Sequence, residues 1–314
     1  MTLAQTPDNP MPVDPIAGLL PTPDGAIIRY ARWRTKSHPV KGTILLLHGR
    51  AEYIEKLYET VSDIQKRGFD VVTFDWRGQG GSSRLLRDTR RGYIDSFDQY
   101  IMDLNTIMEE IVLPDCPGPF YIVAHSTGSL VALLAAPGFG NRIRRMVLSA
   151  PLLRLGEIGF SQETVKFFSG LLTTIGLGEI YLPGSKEPGQ QPFIGNKLTS
   201  DATRFKRNQN FAEAHPELII GGPTATWLFA AIKAMECLDD PEYHGHITIP
   251  TLLISAGSDQ IVSSKAIELL GRRLRSGSAL TIDGARHELF QERDIYREQL
   301  LSAFEAFIPG TELA

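Results

Sequence analysis

Cysteine is nearly missing from this sequence: Cys116 and Cys237 are the only two in 314 residues. Two thiols are too few for a disulfide scaffold, lack the spacing of a metal-binding set and fit a reducing compartment. An excess of charge of one sign is missing too. The 36 acidic and 32 basic side chains leave a net charge of −4 with no basic stripe, which excludes a nucleic-acid-binding protein. No uncharged apolar run approaches the ~18 residues of a membrane-spanning helix. The opening stretch MTLAQTPDNPMPVDPIAGLLPTPDG lacks the basic start and apolar core of a signal peptide, so the expected location is the cytoplasm. What is present, 42% hydrophobic residues in a chain of this length, suits one large α/β domain with an insertion.

Residues 1–20 carry four prolines and scattered polar side chains with no periodic apolar face, and are expected to form a flexible arm. Ala26 to Trp33 is extended after an Asp-Gly turn. GTILLLHG, from Gly42 to Gly49, and DVVTFDWRGQG are apolar without alternation, as strands buried on both faces of a parallel sheet are. A helical pattern from Ile54 to Lys66 separates them. Another, from about Phe97 to Ile111, precedes the strand Phe120 to Ala124, and a further helix leads to RRMVLSAP. Strands alternating with helices imply a mostly parallel sheet with helices on both faces. The alternation stops at Leu152 and resumes at TLLISAGSD and SALTIDGARH. The helical stretch 152–246 is therefore expected to be a cap inserted after the sixth strand, dividing the core into 21–151 and 247–314. Such a cap covers the carboxyl end of the sheet, where open α/β sheets keep their ligands. Within it Val165, Phe168, Leu172 and Ile175 share one helical face, widened by Phe167 and Leu171. This arc is expected to be cap core; the alternative is a lid face that meets an acyl chain or a membrane surface.

The chain is organised around YIVAHSTGS, Tyr121 to Ser129: an apolar strand, a small residue, His-Ser-x-Gly, then a helical run. A serine hydroxyl is a poor nucleophile in water, and an enzyme that uses one exposes it on a sharp strand-to-helix turn beside a base and backbone N–H donors. Small residues are needed two places before and after it, here Ala124 and Gly128, with Ala124 replacing the commoner glycine. Ser126 is the candidate nucleophile. Its base needs an orienting carboxylate, and in such sheets the three follow in the order Ser, acid, His, each after a strand. Asp259 after LLISAGS and His287 after ALTIDGAR satisfy both conditions. His48, ending a strand, is expected to support the neighbouring loop, and His125 to point away from the side of Ser126 where its partner lies. Asp75 precedes the serine in sequence and is expected to be structural.

Stabilising the oxyanion of an acyl-transfer intermediate takes two N–H groups. The backbone N–H of Thr127 directly follows the nucleophile, and Gly49 lets the following residue approach closely, making the backbone N–H of Arg50 the second candidate. The Arg50 guanidinium is a candidate for meeting a phosphate, with a solvated surface charge as the alternative. Phe168, Leu172 and Trp227 are the candidate cap contacts to substrate.

Beyond these patterns, HGRAEYIEKLYE, DWRGQGGSSRLL, RGYIDSFDQYIMDL, AHSTGS and GARHELFQERD, with PFIGNKLTSDATRFKRNQNF and GGPTATW in the cap, give a chain that resembles bacterial lysophospholipase L2. That family lies within the monoacylglycerol-lipase-like α/β-hydrolases, and the likeness spans nearly everything after the first forty or so residues. The resemblance implies the α/β-hydrolase fold, hydrolysis of lysophospholipid or monoacylglycerol through an acyl-enzyme, no metal and no cofactor. Carried over by motif, its triad falls on Ser126, Asp259 and His287. Thr127 and Ser129 stand where the family elbow has Met and Gly, and Tyr93 where it has His; these alter the pocket wall, not the chemistry.

The expected function is thus a serine carboxylic-ester hydrolase acting on a lipid. The alternatives are a short-chain carboxylesterase, an aminopeptidase whose amine would meet carboxylates among Glu213, Glu217, Glu236, Asp239 and Asp240, and a non-catalytic ligand-binding module, which the complete Ser-Asp-His set disfavours.

Overall fold

The computed structural model describes residues 3–156, 159–181, 189 and 192–308. Its eight-stranded sheet runs in the order β1-β2-β4-β3-β5-β6-β7-β8. The strands are β1 (Ile16–Pro21), β2 (Ile27–Trp33), β3 (Thr43–Leu47), β4 (Asp70–Phe74), β5 (Phe120–His125), β6 (Ile143–Ser149), β7 (Thr251–Ala256) and β8 (Gly277–Ile282). β2 pairs antiparallel with β1 and β4, and every other pairing is parallel. All residues of β3, β4 and β7 are buried, which is why their sequences run apolar without alternation. Neighbours along a strand serve opposite faces: Leu45 and Leu47 enter one apolar layer, Ile44 and Leu46 the other.

One layer is closed by α1 (Tyr58–Lys66) and, at the far end of the chain, the helix Asp294–Phe307, through Val61, Ile64, Leu300 and Phe304. The other is closed by α2 (Phe97–Ile107), which passes through a wider turn into the short α3 (Leu113–Asp115), and by α4 (Thr127–Phe139). Between β6 and β7 the described residues hold four α-helices and no strand: α5 (Gln162–Thr174), α6 (Ala202–Ala214), α7 (Ala225–Cys237) and α8 (Pro241–His246). After β7 come α9 (Ser264–Arg273), β8 and α10, the Asp294–Phe307 helix. The chain thus has the architecture of an α/β-hydrolase.

Two expectations are corrected. The first is the flexible arm over 1–20. Ile16–Pro21 is the edge strand β1, in register with β2 across the Asp24-Gly25 turn from Ile16↔Arg32 to Pro21↔Ile27. Upstream of it, Asn9 is buried and donates Nδ2 to Glu55 O (2.9 Å), while Trp33 Nε1 donates to Pro12 O (3.2 Å). Backbone pairing of β1 and the hydrogen bonds upstream of it hold this segment; Pro7, Pro10, Pro12 and Pro15 all precede the strand, and no apolar period announces it. The second is the apolar arc of α5. Phe167 is 66% exposed, Phe168 56% and Ile175 58%, and Ser169 is the only buried residue of the helix, so the arc is not cap core. α5 meets α7 through small residues instead: a Cβ on Gly170 would lie 2.8 Å from the Phe229 ring. Val165 and Leu172 are half-buried.

Candidate active site

Ser126 sits between β5 and α4 with φ 49° and ψ −113°, a left-handed backbone that few side chains tolerate. The turn is pinned on both sides: Ser126 N–H donates to Ser149 O (2.9 Å), and its carbonyl accepts from Leu130 (3.1 Å) and Leu152 (3.2 Å). A Cβ on Gly128 would lie 2.6 Å from His48 O and 2.8 Å from Leu47 O, so the first turn of α4 needs glycine to pack against the end of β3.

The structure brings the three sequence-chosen side chains together. His287 Nε2 is 3.0 Å from Ser126 Oγ, and His287 Nδ1 is 2.7 Å from Asp259 Oδ2. The other oxygen of Asp259 accepts the N–H groups of Ile261 (2.8 Å) and Val262 (3.0 Å). Burial works to raise the Asp259 pKa, but the His287 hydrogen bond, its charge and the two N–H donors outweigh that and hold it below the ordinary carboxylate value. Asp259 therefore stays ionised and fixes the imidazole with Nδ1 protonated and Nε2 free to accept from Ser126.

Neither Arg50 nor Thr127 donates its backbone N–H to another group among the described residues, and the chain just before Arg50 runs close to the serine. The preceding residue makes the approach possible: a Cβ on Gly49 would lie 3.2 Å from Ser126 Cβ and 3.1 Å from His125 Cδ2. Side chains that sequence reasoning missed hold this loop. Glu52 Oε2 accepts Gly49 N–H (2.5 Å), Gln79 Oε1 accepts Ala51 N–H (3.0 Å), and Gln79 Nε2 donates to Gly49 O (3.0 Å). Lys56 ion-pairs with Glu52 (3.1 Å) and with Glu288 (2.7 Å), the residue after His287. The only available signal was the charge of HGRAEYIEK, which a solvated helix would carry equally well.

His48 Nδ1 meets Gly49 O (2.9 Å), and Asp75 accepts from Arg29 Nε (2.7 Å), Ile54 N–H (2.9 Å) and Gly81 N–H (2.7 Å). Burial alone would raise the Asp75 pKa, but Arg29 draws it down to about 2. His125 is a correction: its ring lies against His287, centroids 4.8 Å apart, and burial lowers its pKa to about 4, so it packs there uncharged. The Arg50 guanidinium donates to Gly221 O (2.8 Å) and lies 5.5 Å from the Trp227 ring. Trp227 is buried and donates Nε1 to Tyr100 Oη (3.1 Å). No hydrogen bond or ring contact among the described residues joins Phe168 or Leu172 to Ser126, Asp259 or His287; Phe168 meets Phe167 edge-on (5.4 Å).

A model of the family described as serine aminopeptidase, S33, matches residues 38–294. A probable lysophospholipase L2 of Haemophilus influenzae is 30% identical over 269 residues, 86% of this chain and 84% of that protein. Lysophospholipase L2 of Escherichia coli K12 is 30% identical over 308 residues, 90% of this chain and 84% of that one. Among solved structures, a soluble variant of the Saccharomyces cerevisiae monoglyceride lipase, in complex with a substrate analogue, superposes with a TM-score of 0.74 at 21% identity, covering 94% and 95% of the two chains. A family match over most of the chain, joined to this sheet order, shows that the chain belongs to the serine aminopeptidase S33 family of α/β-hydrolases and is a homologue of lysophospholipase L2.

Proposed function

We propose that Ser126, His287 and Asp259 hydrolyse the ester of a single-chain lipid, a lysophospholipid in preference to a monoacylglycerol. The observation that carries the reaction is the unbroken path from Ser126 Oγ through the imidazole to Asp259, at 3.0 and 2.7 Å. Ser126 Oγ attacks the ester carbonyl as its proton passes to His287 Nε2, and Asp259 stabilises the imidazolium. The carbonyl oxygen, now negative, is met by the N–H groups of Arg50 and Thr127. Collapse expels the alcohol, protonated by His287, and leaves an acyl-enzyme. A water deprotonated by the same imidazole then releases the fatty acid. The chain is a carboxylic ester hydrolase.

Residues 152–246 act as the cap in this reading. The preference for a phosphate-bearing headgroup rests on Arg50, a guanidinium held by one carbonyl and one aromatic face, with no carboxylate partner among the described residues. Burial lowers its pKa to about 10, against the weaker pull of Tyr100 and Tyr181. A substrate phosphate would supply the missing counter-charge. The exposed face of α5, with Phe167, Phe168, Leu171 and Ile175, is the surface that rests on lipid; no helix among the described residues is long and apolar enough to cross a membrane.

An amine-binding site, as an aminopeptidase needs, finds little support. Glu236 pairs with Lys166 (2.6 Å), Asp240 caps α8 through Glu242 N–H (2.9 Å), and Glu217 faces His215 (3.3 Å). The deciding experiment is hydrolysis of lysophosphatidylglycerol against monoacylglycerol of the same chain, by wild type and Ser126→Ala. Loss of both activities in the variant is expected, and turnover that survives it rejects the mechanism.

A further inference from the structure

The cap stretch from Asn196 to Asn208 takes no part in the chemistry above, yet it grips the loop that carries His287 on both sides of the imidazole. Glu288 donates its N–H to Leu198 O (2.8 Å). Arg286 donates Nη1 to Asn196 O (2.9 Å) and Thr199 O (3.0 Å). Thr199 Oγ1 donates to Gln291 O (2.7 Å), Arg204 Nη1 to Glu292 O (2.9 Å), and Arg207 Nη2 to Gln291 Oε1 (2.8 Å).

The hub is the Glu292 carboxylate, which has no exposed surface. Its Oε1 accepts the N–H groups of Ser200 and Arg286, both at 2.9 Å. Its Oε2 accepts Ser200 Oγ (2.6 Å) and Arg293 N–H (2.9 Å). Four donors fill the roughly four lone-pair sites of a carboxylate, so the group is fully satisfied and cannot swing. The stretch is in turn anchored to the core, because Arg204 and Arg207 each donate to Glu59 of α1 at 2.6 Å.

We propose that Glu292 and Ser200 are a positioning pair, stitching the cap stretch 196–208 to the loop 286–293 and thereby setting the geometry at which His287 meets Ser126. The inference rests on the catalytic reading of Ser126, His287 and Asp259, and adds that part of the cap belongs to the catalytic apparatus as its brace. Asp259 holds one edge of the imidazole and the His125 ring lies against it, but neither contact fixes the backbone from which the ring projects. The backbone on either side of His287 supplies the remaining constraint, and that backbone is held from the cap. A displacement of about 1 Å at such a site costs on the order of 100-fold in rate.

The test compares wild type, Ser200→Ala, Glu292→Gln, Glu292→Asp and Ser126→Ala on p-nitrophenyl butyrate, a soluble ester that makes no use of headgroup or lipid contacts. Far-UV circular dichroism supplies the folded fraction. With Ser200→Ala, kcat is expected to fall about tenfold, and with Glu292→Gln about 100-fold, while KM stays within about twofold; Glu292→Asp, which keeps the acceptors, recovers part of kcat. Wild-type kcat per folded molecule in Ser200→Ala and Glu292→Gln, or a change in KM that matches the change in kcat, overturns the proposal. Ser200 is only half-buried, so its variant decides the matter even where Glu292→Gln does not fold. An inactive Ser126→Ala beside fully active brace variants rejects the positioning role alone, whereas an active Ser126→Ala rejects the catalytic reading beneath it.

Discussion

Gly49 and Ser126 approach so closely that a single methyl group on the glycine would stand 3.2 Å from the serine Cβ, with Glu52 Oε2 at 3.0 Å on its other side. The loop that carries the proposed Arg50 N–H donor is thus seated directly against Ser126, with no room to spare. Gly49→Ala is expected to push that N–H away from the developing oxyanion. Losing such a donor costs about 100-fold in kcat, with KM for a soluble ester little changed; steady-state kinetics on p-nitrophenyl butyrate read the split. Unchanged kcat would place the second donor elsewhere.

The Arg50 side chain is expected to sort substrates. Hydrogen bonds to charged groups contribute about 1.5–3 kcal/mol, so Arg50→Gln should lower the ratio of kcat/KM for lysophosphatidylglycerol over monoacylglycerol by about tenfold or more. The ratio cancels whatever the substitution does to the neighbouring backbone. An unaltered ratio means that the guanidinium does not read the headgroup.

Glu59 joins α1 to α6, and its pH behaviour follows from the same contacts. Burial works to raise its pKa, but hydrogen bonds and charge from Arg204, Arg207 and Arg297 prevail and bring it from 4.5 to about 2. A depressed folded-state pKa means stability that is complete above the unfolded value and is lost as pH falls through the folded one. Thermal melts of wild type should therefore lose stability between about pH 4.5 and pH 2. Glu59→Gln should be less stable at pH 7, by on the order of 1–3 kcal/mol, and show a shallower decline over that window. Parallel acid declines in the two proteins would remove Glu59 from the account.

The exposed arc of α5 should matter at a lipid surface and not in solution. The double substitution Phe167→Ser, Phe168→Ser removes two rings that are 66% and 56% exposed. Co-sedimentation with phosphatidylglycerol vesicles is expected to fall several-fold, with hydrolysis of a soluble short-chain ester unaffected. Equal sedimentation of both proteins would show that lipid meets another surface.

The sequence by itself determined the parts whose causes are local. Strands buried on both faces are apolar without alternation, so β3, β4 and β7 read as largely apolar runs, and Ser126, Asp259 and His287 are legible as a set because each follows a strand-like stretch, in the order nucleophile, acid, base. The elbow declares itself through Ala124 and Gly128, where sterics leave no choice. Tertiary structure alone decided the rest. β1 exists through backbone pairing with β2, which its short, mostly exposed IAGLLP side chains do not encode. The arc of α5 has the same period whether it faces a core or open space, and only the placement of α7 leaves it exposed. His125 turns toward His287 because two loops converge there, not because of its neighbours in sequence. Lys56 and Glu288 stand 232 positions apart, and Ser200 and Glu292 stand 92 apart. In sequence they are ordinary surface residues; only folding brings these partners together within hydrogen-bond reach.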